Sequence, residues 1–218
     1  MSALRDNVRA LPSVVGVAPP LVLEHAPENP RSLVVEWLLA AIDAGVPEPH
    51  AATLSTVDET GQPDARVLIV KDITDDGAFE IATSVSSPKA RQHATNPRCA
   101  LSFYWTSLAR AIRIRGTAVR ADAAAAHADF TARHPDARAM VLAGEQGRAI
   151  DDAAAHERAL SAAKQLIAGD PEAGSSEWSV WRIEPASIEF WQGDPSRDHL
   201  RLRYDLGPAG WEHHRIAA

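Results

Sequence analysis

Short apolar stretches separated by turn residues, with no regular alternation of strand and helix, constrain this chain most. Residues 51–57 pattern as a short strand, and Asp58-Glu59-Thr60-Gly61-Gln62-Pro63 is turn chemistry. Arg66-Val67-Leu68-Ile69-Val70-Lys71 follows, four apolar residues flanked by cations, and reads as a buried strand paired to the first as a hairpin. Asp75-Asp76-Gly77 makes the next turn, and 78–83 the next strand. Residues 98–106 form an apolar strand ending in aromatics. Residues 111–120 alternate, with Ile112 and Ile114 on one side and Arg113 and Arg115 on the other, a half-buried strand whose arginine row reads as a solvated face. Strands return at 178–183, 188–191, 200–205 and 211–216, the last two around the turn Gly207-Pro208-Ala209-Gly210. Helices are inserted at two points, 88–96 and 122–168, the second broken near His134-Pro135 and near 144–147. The longest piece, 151–168, carries Leu160, Ala163, Leu166 and Ile167 as its apolar stripe. This order predicts an antiparallel barrel of the α+β class and argues against a Rossmann fold, whose glycine-rich phosphate loop is also absent.

An amphipathic helix precedes the strands over 32–44, with Leu33, Val34, Trp37, Leu38, Ala41 and Ile42 at helical spacing. Residues 1–30 hold five prolines and little periodicity, and read as an extended or partly disordered arm. Residues 31–218 then form a single domain, within the reach of a 218-residue chain that is 45% hydrophobic. A net charge of −7 disfavours nucleic-acid binding by the whole surface but leaves room for a local basic pocket. The single cysteine, Cys99, excludes an intrachain disulfide and reads as a small core residue. No apolar run reaches membrane-spanning length, and Arg5, Asp6 and Arg9 interrupt the start of the chain, so a cytoplasmic location is the expectation. The nine histidines offer no metal-ligand spacing; His213 and His214, adjacent on a strand, point to opposite faces.

Two constellations carry chemistry. In Ala82-Thr83-Ser84-Val85-Ser86-Ser87-Pro88-Lys89 a strand end runs into a helix start, with Ser87 as N-cap and Pro88 at the first helical position. Arg66 and Lys89 beside a helix N-terminus would hold a phosphate, since free backbone N–H groups and fixed cations converge there. The same residues also suit a core strand with solvated ends and an ordinary helix start. Glu189-Phe190-Trp191-Gln192-Gly193, then Arg197-Asp198-His199 and Arg201, is the densest polar-aromatic cluster. An aromatic ligand could stack there with cations holding its anionic groups, or the Trp is core and the loop solvated.

Across these motifs the chain resembles the pyridoxine/pyridoxamine 5′-phosphate oxidases, the FMN-binding split-barrel family, from about residue 32 to the C-terminus. The carriers are Arg66 to Lys71, Ser86-Ser87-Pro88-Lys89, Gln146, Ile188 to Gly193, Arg197-Asp198-His199 and Leu202-Arg203-Tyr204. The resemblance implies an antiparallel FMN-binding split barrel with inserted helices, and a homodimer with flavin sites between subunits. It places Arg66 and Lys89 on the FMN phosphate. The backbone of Val67, Leu68, Ile69, Val70 and Lys71, with Ala82, Thr83, Gln146, Trp191 and Arg201, surrounds the rest of the flavin. Lys71 and Arg133 would bind a substrate phosphate, with Asp129 in the same pocket, and Arg197 and His199 would position the reacting carbon. Strict strand alternation, taken alone, sets Arg66 and Lys71 on opposite faces.

Five positions depart from the family pattern. Pro88 stands for an arginine, Ala111 for a glutamine and Gly147 for a serine near the flavin. Around the substrate phosphate, Asp129 stands for a tyrosine and Ala137 for a serine. A carboxylate facing a phosphate dianion is repulsive unless a cation intervenes. The expected activity is that of an FMN-dependent oxidase passing substrate hydride to flavin and electrons to O2. Pyridoxamine or pyridoxine 5′-phosphate is the leading substrate, and a phenazine-type or other secondary-metabolite aromatic the alternative. A flavin-binding protein without turnover is the reading of a different class, with no need of Arg197 and His199.

Overall fold

Asp58 builds the first hairpin. Its carboxylate accepts the backbone N–H groups of Thr60 (2.9 Å) and Gln62 (2.9 Å) and the Thr60 hydroxyl (2.7 Å), while Gly61 takes φ = +87° at the tip. The Thr60 hydroxyl, then the backbone donors, hold this carboxyl below the usual range. In the computed structural model, which describes residues 3–19, 21, 25–144 and 146–217, this hairpin joins β1 (Ala51–Val57) to β2 (Pro63–Ile69). Then come β3 (Asp72–Ile73), β4 (Phe79–Ser84), α3 (Pro88–Thr95), β5 (Arg98–Trp105) and β6 (Arg110–Arg120). Helices α4 (Ala123–Thr131), α5 (Pro135–Ala143) and α6 (Ala153–Gly169) lead to β7 (Trp178–Gln192), β8 (Leu200–Gly207) and β9 (Gly210–Arg215). Two helices precede β1: α1 (Ala3–Ala10) and α2 (Pro30–Asp43).

The strands hydrogen-bond in the order β2-β1-β5-β6-β7-β4-β3, with β8 on β7 and β9 on β8. The pairings β3·β4, β4·β7, β7·β8 and β8·β9 are all antiparallel. The chain divides into two compact units, one of Met1–Ala52, Leu101–Ile114 and Ala186–Ala218, the other of Thr53–Ala100 and Arg115–Pro185.

The first unit is built on aromatics. Trp37 of α2 is fully buried and meets Phe190 edge-on, centroids 5.2 Å apart, and Phe190 meets Tyr204 at 5.8 Å. Burying a side chain of Phe size contributes roughly 1.5–3 kcal/mol. The Arg110 guanidinium lies 4.1 Å above the Trp37 ring and donates to Gln192 Oε1 (3.0 Å) and the Pro19 carbonyl (3.2 Å).

In the second unit β4 pairs with β7 from Phe79↔Ile183 to Ser84↔Trp178. Helices α4 and α6 start on Asp122 and Asp152, whose carboxylates accept the N–H groups of Ala125 (2.8 Å) and Ala155 (2.9 Å). Gly116 is required by a close approach, since a Cβ there would stand 2.2 Å from the Glu184 carbonyl oxygen.

Several expectations are corrected. The strands expected at 178–183 and 188–191 are one strand, β7. Pro185 sits where β7 leaves β4, after Ile183, and takes up β8, from Ser187, so its missing N–H costs no bond to β4 or β8. β2 is not a buried strand. It ends the strand order, and Val67 is 70% exposed with Leu68 and Ile69 half-buried. Leu166 of α6 and Ile42 of α2 lie outside their buried stripes, each about half exposed. In the arm, residues 3–10 are helical where an extended segment is expected. Leu4 and Val8 share one side of α1, Asp6 lies in its first turn and Arg9 in its last. Residues 1, 2, 20 and 22–24 of the arm lie outside the described residues.

Candidate functional site

A cleft of about 1340 Å³ opens in the second unit, with every lining residue drawn from that unit. Arg66, Val67, Leu68, Ile69 and Lys71 line it from β2 and its end, Ala82 and Thr83 from β4, Lys89 from α3, and Arg133, Ala137, Gln146 and Trp178 from the helical insertion and β7. Arg66 and Lys71 therefore share a cavity, against strict alternation. β2 stops at Ile69, so the two-residue period does not extend to Lys71, whose backbone N–H donates to the Glu80 carbonyl (2.7 Å). Val70 is buried and does not line the cleft.

Two cations of the cleft, Arg66 and Lys89, are held in different ways. The Arg66 guanidinium donates to Thr56 Oγ1 (2.6 Å), Gln92 Oε1 (3.1 Å) and the Asp64 carboxylate, and Gln92 Nε2 donates to Asp64 in turn (3.2 Å). That network fixes the guanidinium before any ligand arrives. The Gln92 bond, and then Arg66, hold the Asp64 carboxyl below its usual range. Lys89 is buried and, among the described residues, donates to neutral oxygens, Thr83 Oγ1 (2.9 Å) and Gln146 Oε1 (3.4 Å). Burial first, and Arg66 second, push its ammonium below the usual lysine value. Ser87 caps α3 as expected, its hydroxyl accepting from Ala90 N–H (3.3 Å). A buried cation beside a second cation, at a capped helix start, is the environment a phosphate relieves.

One turn further along α3, His93 is 2% exposed and packs on Trp181, centroids 5.2 Å apart. Burial, then Arg66 and Lys89, lower its pKa to about 4. Between about 6.5 and about 4 the unfolded chain binds a proton that the folded chain does not. Stability is therefore complete above 6.5 and falls as pH drops through this window, by roughly 3 kcal/mol for this residue. His93→Phe should flatten that part of a urea-denaturation pH profile; an unaltered slope would assign the acid sensitivity to another group.

Pro88 and Gly147 are one local adaptation. Gly147 has φ = +87°, and a Cβ there would stand 2.9 Å from Pro88 Cδ. A serine at 147 is thus opposed by backbone conformation and by the proline ring together.

Lys71, Arg133 and Trp178 line the same cleft, and Asp129 contacts two of them from outside the lining. Lys71 Nζ lies 3.5 Å from Asp129 Oδ1, and Asp129 Oδ2 accepts the Trp178 indole N–H at 2.7 Å. Arg133 Cζ stands 4.0 Å from the Trp178 ring centroid. Burial lowers the Arg133 pKa and Asp129 opposes that shift. Asp129 does not itself line the cleft. The repulsion expected of a carboxylate facing a dianion is replaced by an ion pair, with Lys71 as the intervening cation.

In the first unit the expected Trp191, Arg197, His199 and Arg201 gather around the end of β7. Trp191 pairs in register with Arg201 and packs on His199, centroids 5.1 Å apart. Arg201 donates to Glu189 through Nε (2.9 Å) and Nη2, and to the Ala217 carbonyl through Nη1 (3.1 Å). Arg113 also binds Glu189, so the arginine row is not merely solvated. The Asp194 N–H donates to His199 Nδ1 at 3.0 Å, which leaves Nε2 as the protonated nitrogen of the neutral ring. Arg197 is exposed and holds φ = +74°, its N–H bonded to the Asp194 carbonyl (3.0 Å).

Sequence reasoning missed Asp64, Gln92, Trp178 and the part Glu189 plays. Asp64 precedes Arg66 by two residues on a strand, and Gln92 follows Lys89 by three on a helix, spacings that share a face. Trp178 carries no such local signal. Among the described residues no cluster of metal-ligating side chains occurs, and no helix is long and apolar enough to cross a membrane.

Residues 38–192 match the family described as pyridoxamine 5′-phosphate oxidase, and residues 178–218 match the pyridoxine 5′-phosphate oxidase C-terminal dimerisation region. The chain belongs to this pyridoxamine 5′-phosphate oxidase family, and its fold is the split barrel. It is 37% identical over 195 residues to a pyridoxine/pyridoxamine 5′-phosphate oxidase of Pseudomonas paraeruginosa, covering 88% of this chain and 90% of that one. The corresponding protein of Paraburkholderia phymatum is 38% identical over 193 residues, covering 87% and 89%. Among solved structures, PhzG from Burkholderia lata 383, in complex with tetrahydrophenazine-1-carboxylic acid, superposes with a TM-score of 0.87 at 26% identity, over 93% of this chain and 100% of that one. A pyridoxamine 5′-phosphate oxidase-related, FMN-binding protein of Nostoc punctiforme shares the fold, with a TM-score of 0.71 at 18% identity.

Proposed function

We propose that this protein is an FMN-dependent oxidase of small aromatic substrates, working as a homodimer with the flavin held between subunits. The observation that carries the reading is Lys89, buried without a carboxylate partner beside the fixed Arg66 at the start of α3. These residues would suit the phosphate of FMN: Lys89, whose ammonium is hydrogen-bonded to no carboxylate among the described residues, and Arg66, held in place by Asp64. Thr83 and Gln146 would bind along the flavin, and the backbone of Val67, Leu68 and Ile69 would face it. Trp191 and Arg201, in the stretch matching a dimerisation region, would come from the second subunit. When bound, FMN supplies the redox chemistry, accepting a hydride from the substrate carbon and returning the electrons to O2.

The protein's own part is positioning. Arg197, on an exposed turn, and His199, with its Nε2–H free to donate, would orient the substrate against the flavin. Arg133 and Lys71 would attract its anionic group. The retained Lys71, Arg133, Arg197 and His199, with relatives at 37–38% identity, support pyridoxamine or pyridoxine 5′-phosphate as substrate. The Lys71–Asp129 pair supports a different aromatic, a phenazine-type acid among them, as does the likeness to PhzG.

The purified protein should be yellow, release FMN on denaturation, run as a dimer by light scattering, and consume O2 with a reduced aromatic amine or alcohol. A colourless protein that takes up no added FMN would overturn the reading.

A further inference from the structure

Taking the oxidase reading as its base, we infer that Asp129 sets the substrate class: an aromatic carrying a single negative charge, such as a ring carboxylate, in place of a phosphate dianion. The cluster around Trp178 contains two cations that line the cleft, Lys71 and Arg133, and one carboxylate behind them, Asp129, which sum to one positive charge. Lys71 Nζ is 3.5 Å from Asp129 Oδ1, so its charge is answered within the protein. Asp129 is held by a second contact, the 2.7 Å bond from Trp178, and its side chain is 20% exposed. It cannot swing clear without leaving the indole N–H unpaired. Arg133 remains as the cation stacked on the Trp178 face, its Nε buried and without a partner among the described residues.

A monoanion on Arg133 brings this cluster to neutrality. A phosphate ester, with about −1.5 to −2 charge at pH 7, leaves it negative in a half-buried site. Ala137, on the same cleft wall, adds no hydroxyl to share that charge. The flat guanidinium suits a planar carboxylate, which it can meet with two parallel N–H bonds.

The test is direct binding to the FMN-loaded dimer, by calorimetry, of two probes with the anion at the same ring position and no aldehyde to react with Lys71: 4-deoxypyridoxine 5′-phosphate and 5-pyridoxic acid. The wild type should bind the carboxylate at least as tightly as the phosphate. Asp129→Asn keeps an oxygen for Trp178 and raises the cluster to two positive charges. It should shift the preference toward the phosphate by about tenfold, the size of a partly screened unit charge at close range. Lys71→Met with Asp129→Asn returns the count to one and should restore the wild-type preference, which a merely structural role for Asp129 would not do. A wild type that prefers the phosphate overturns the inference, as does an Asp129→Asn preference equal to wild type; should Asp129→Asn not fold, Lys71→Met alone lowers the count to zero and should move the preference further toward the carboxylate, and an unchanged preference there overturns the inference too. Failure of the oxidase reading is separate: the wild type would then hold no FMN.

Discussion

Lys89→Ala should weaken FMN binding by roughly 10- to 150-fold, the equivalent of about 1.5–3 kcal/mol for a hydrogen bond to a charged group. Lys89 lies at the second position of α3, its ammonium steered by Thr83 and Gln146 toward the cleft and held there by burial. The family resemblance implies an arginine at 88, where here a proline ring fills the space above Gly147. On the proposed reading fewer cations would share the phosphate, so each one would matter more. The free protein gains from the same change, because it removes a buried cation that Arg66 repels. Lys89→Ala is therefore expected to be at least as stable as wild type without flavin, and less stabilised by adding it. Fluorescence quenching of FMN by the apoprotein measures the first effect, and melting with and without FMN the second. Equal FMN affinity in the two proteins would move the phosphate away from α3.

The α+β class and most of the strands were legible because hairpin chemistry is local: Asp58 and Gly61, or Gly207 to Gly210, define their turns within a few residues. The cap of α3 was legible for the same reason. What failed to show was set by neighbours distant in sequence. Pro185 does not break β7 because the strand changes partner there, a fact about β4 and β8. Val67 looks like core and is exposed because β2 ends the sheet. Lys71 joins Arg66 in one cleft because β2 stops two residues short of it. Asp129 stands out in the sequence as a departure, but its partners Lys71 and Trp178, 58 and 49 residues away, are set by the fold. The candidate residues fall into two groups, Arg66, Lys71, Lys89 and Arg133 in the second unit and Trp191, Arg197, His199 and Arg201 in the first, a division that no local pattern in the sequence marks.

Glu189→Ala should destabilise the first unit through the loss of a buried charge. Glu189 is buried on β7, and its two oxygens divide between Arg201 and Arg113. Removing a buried charge that bridges two cations costs about 3–5 kcal/mol where both partners are also buried. Arg201 and Arg113 are 27% and 52% exposed, so water takes over part of the loss and about 2 kcal/mol is the expectation. For a chain of this length that lowers the melting temperature by roughly 4–8 °C. The functional consequence follows from register. Trp191 and Arg201 face each other across β7 and β8, and Glu189 is what fixes the Arg201 fork beside the indole. Glu189→Gln keeps one oxygen for Arg201 and should recover part of the stability while leaving Arg113 unpaired. Arg113→Ala, which spares the Glu189–Arg201 bonds, should cost well under half as much. Melting curves of the three variants decide it: if Arg113→Ala is as damaging as Glu189→Ala, the carboxylate serves Arg113 first, and Arg201 is positioned by the Ala217 carbonyl instead.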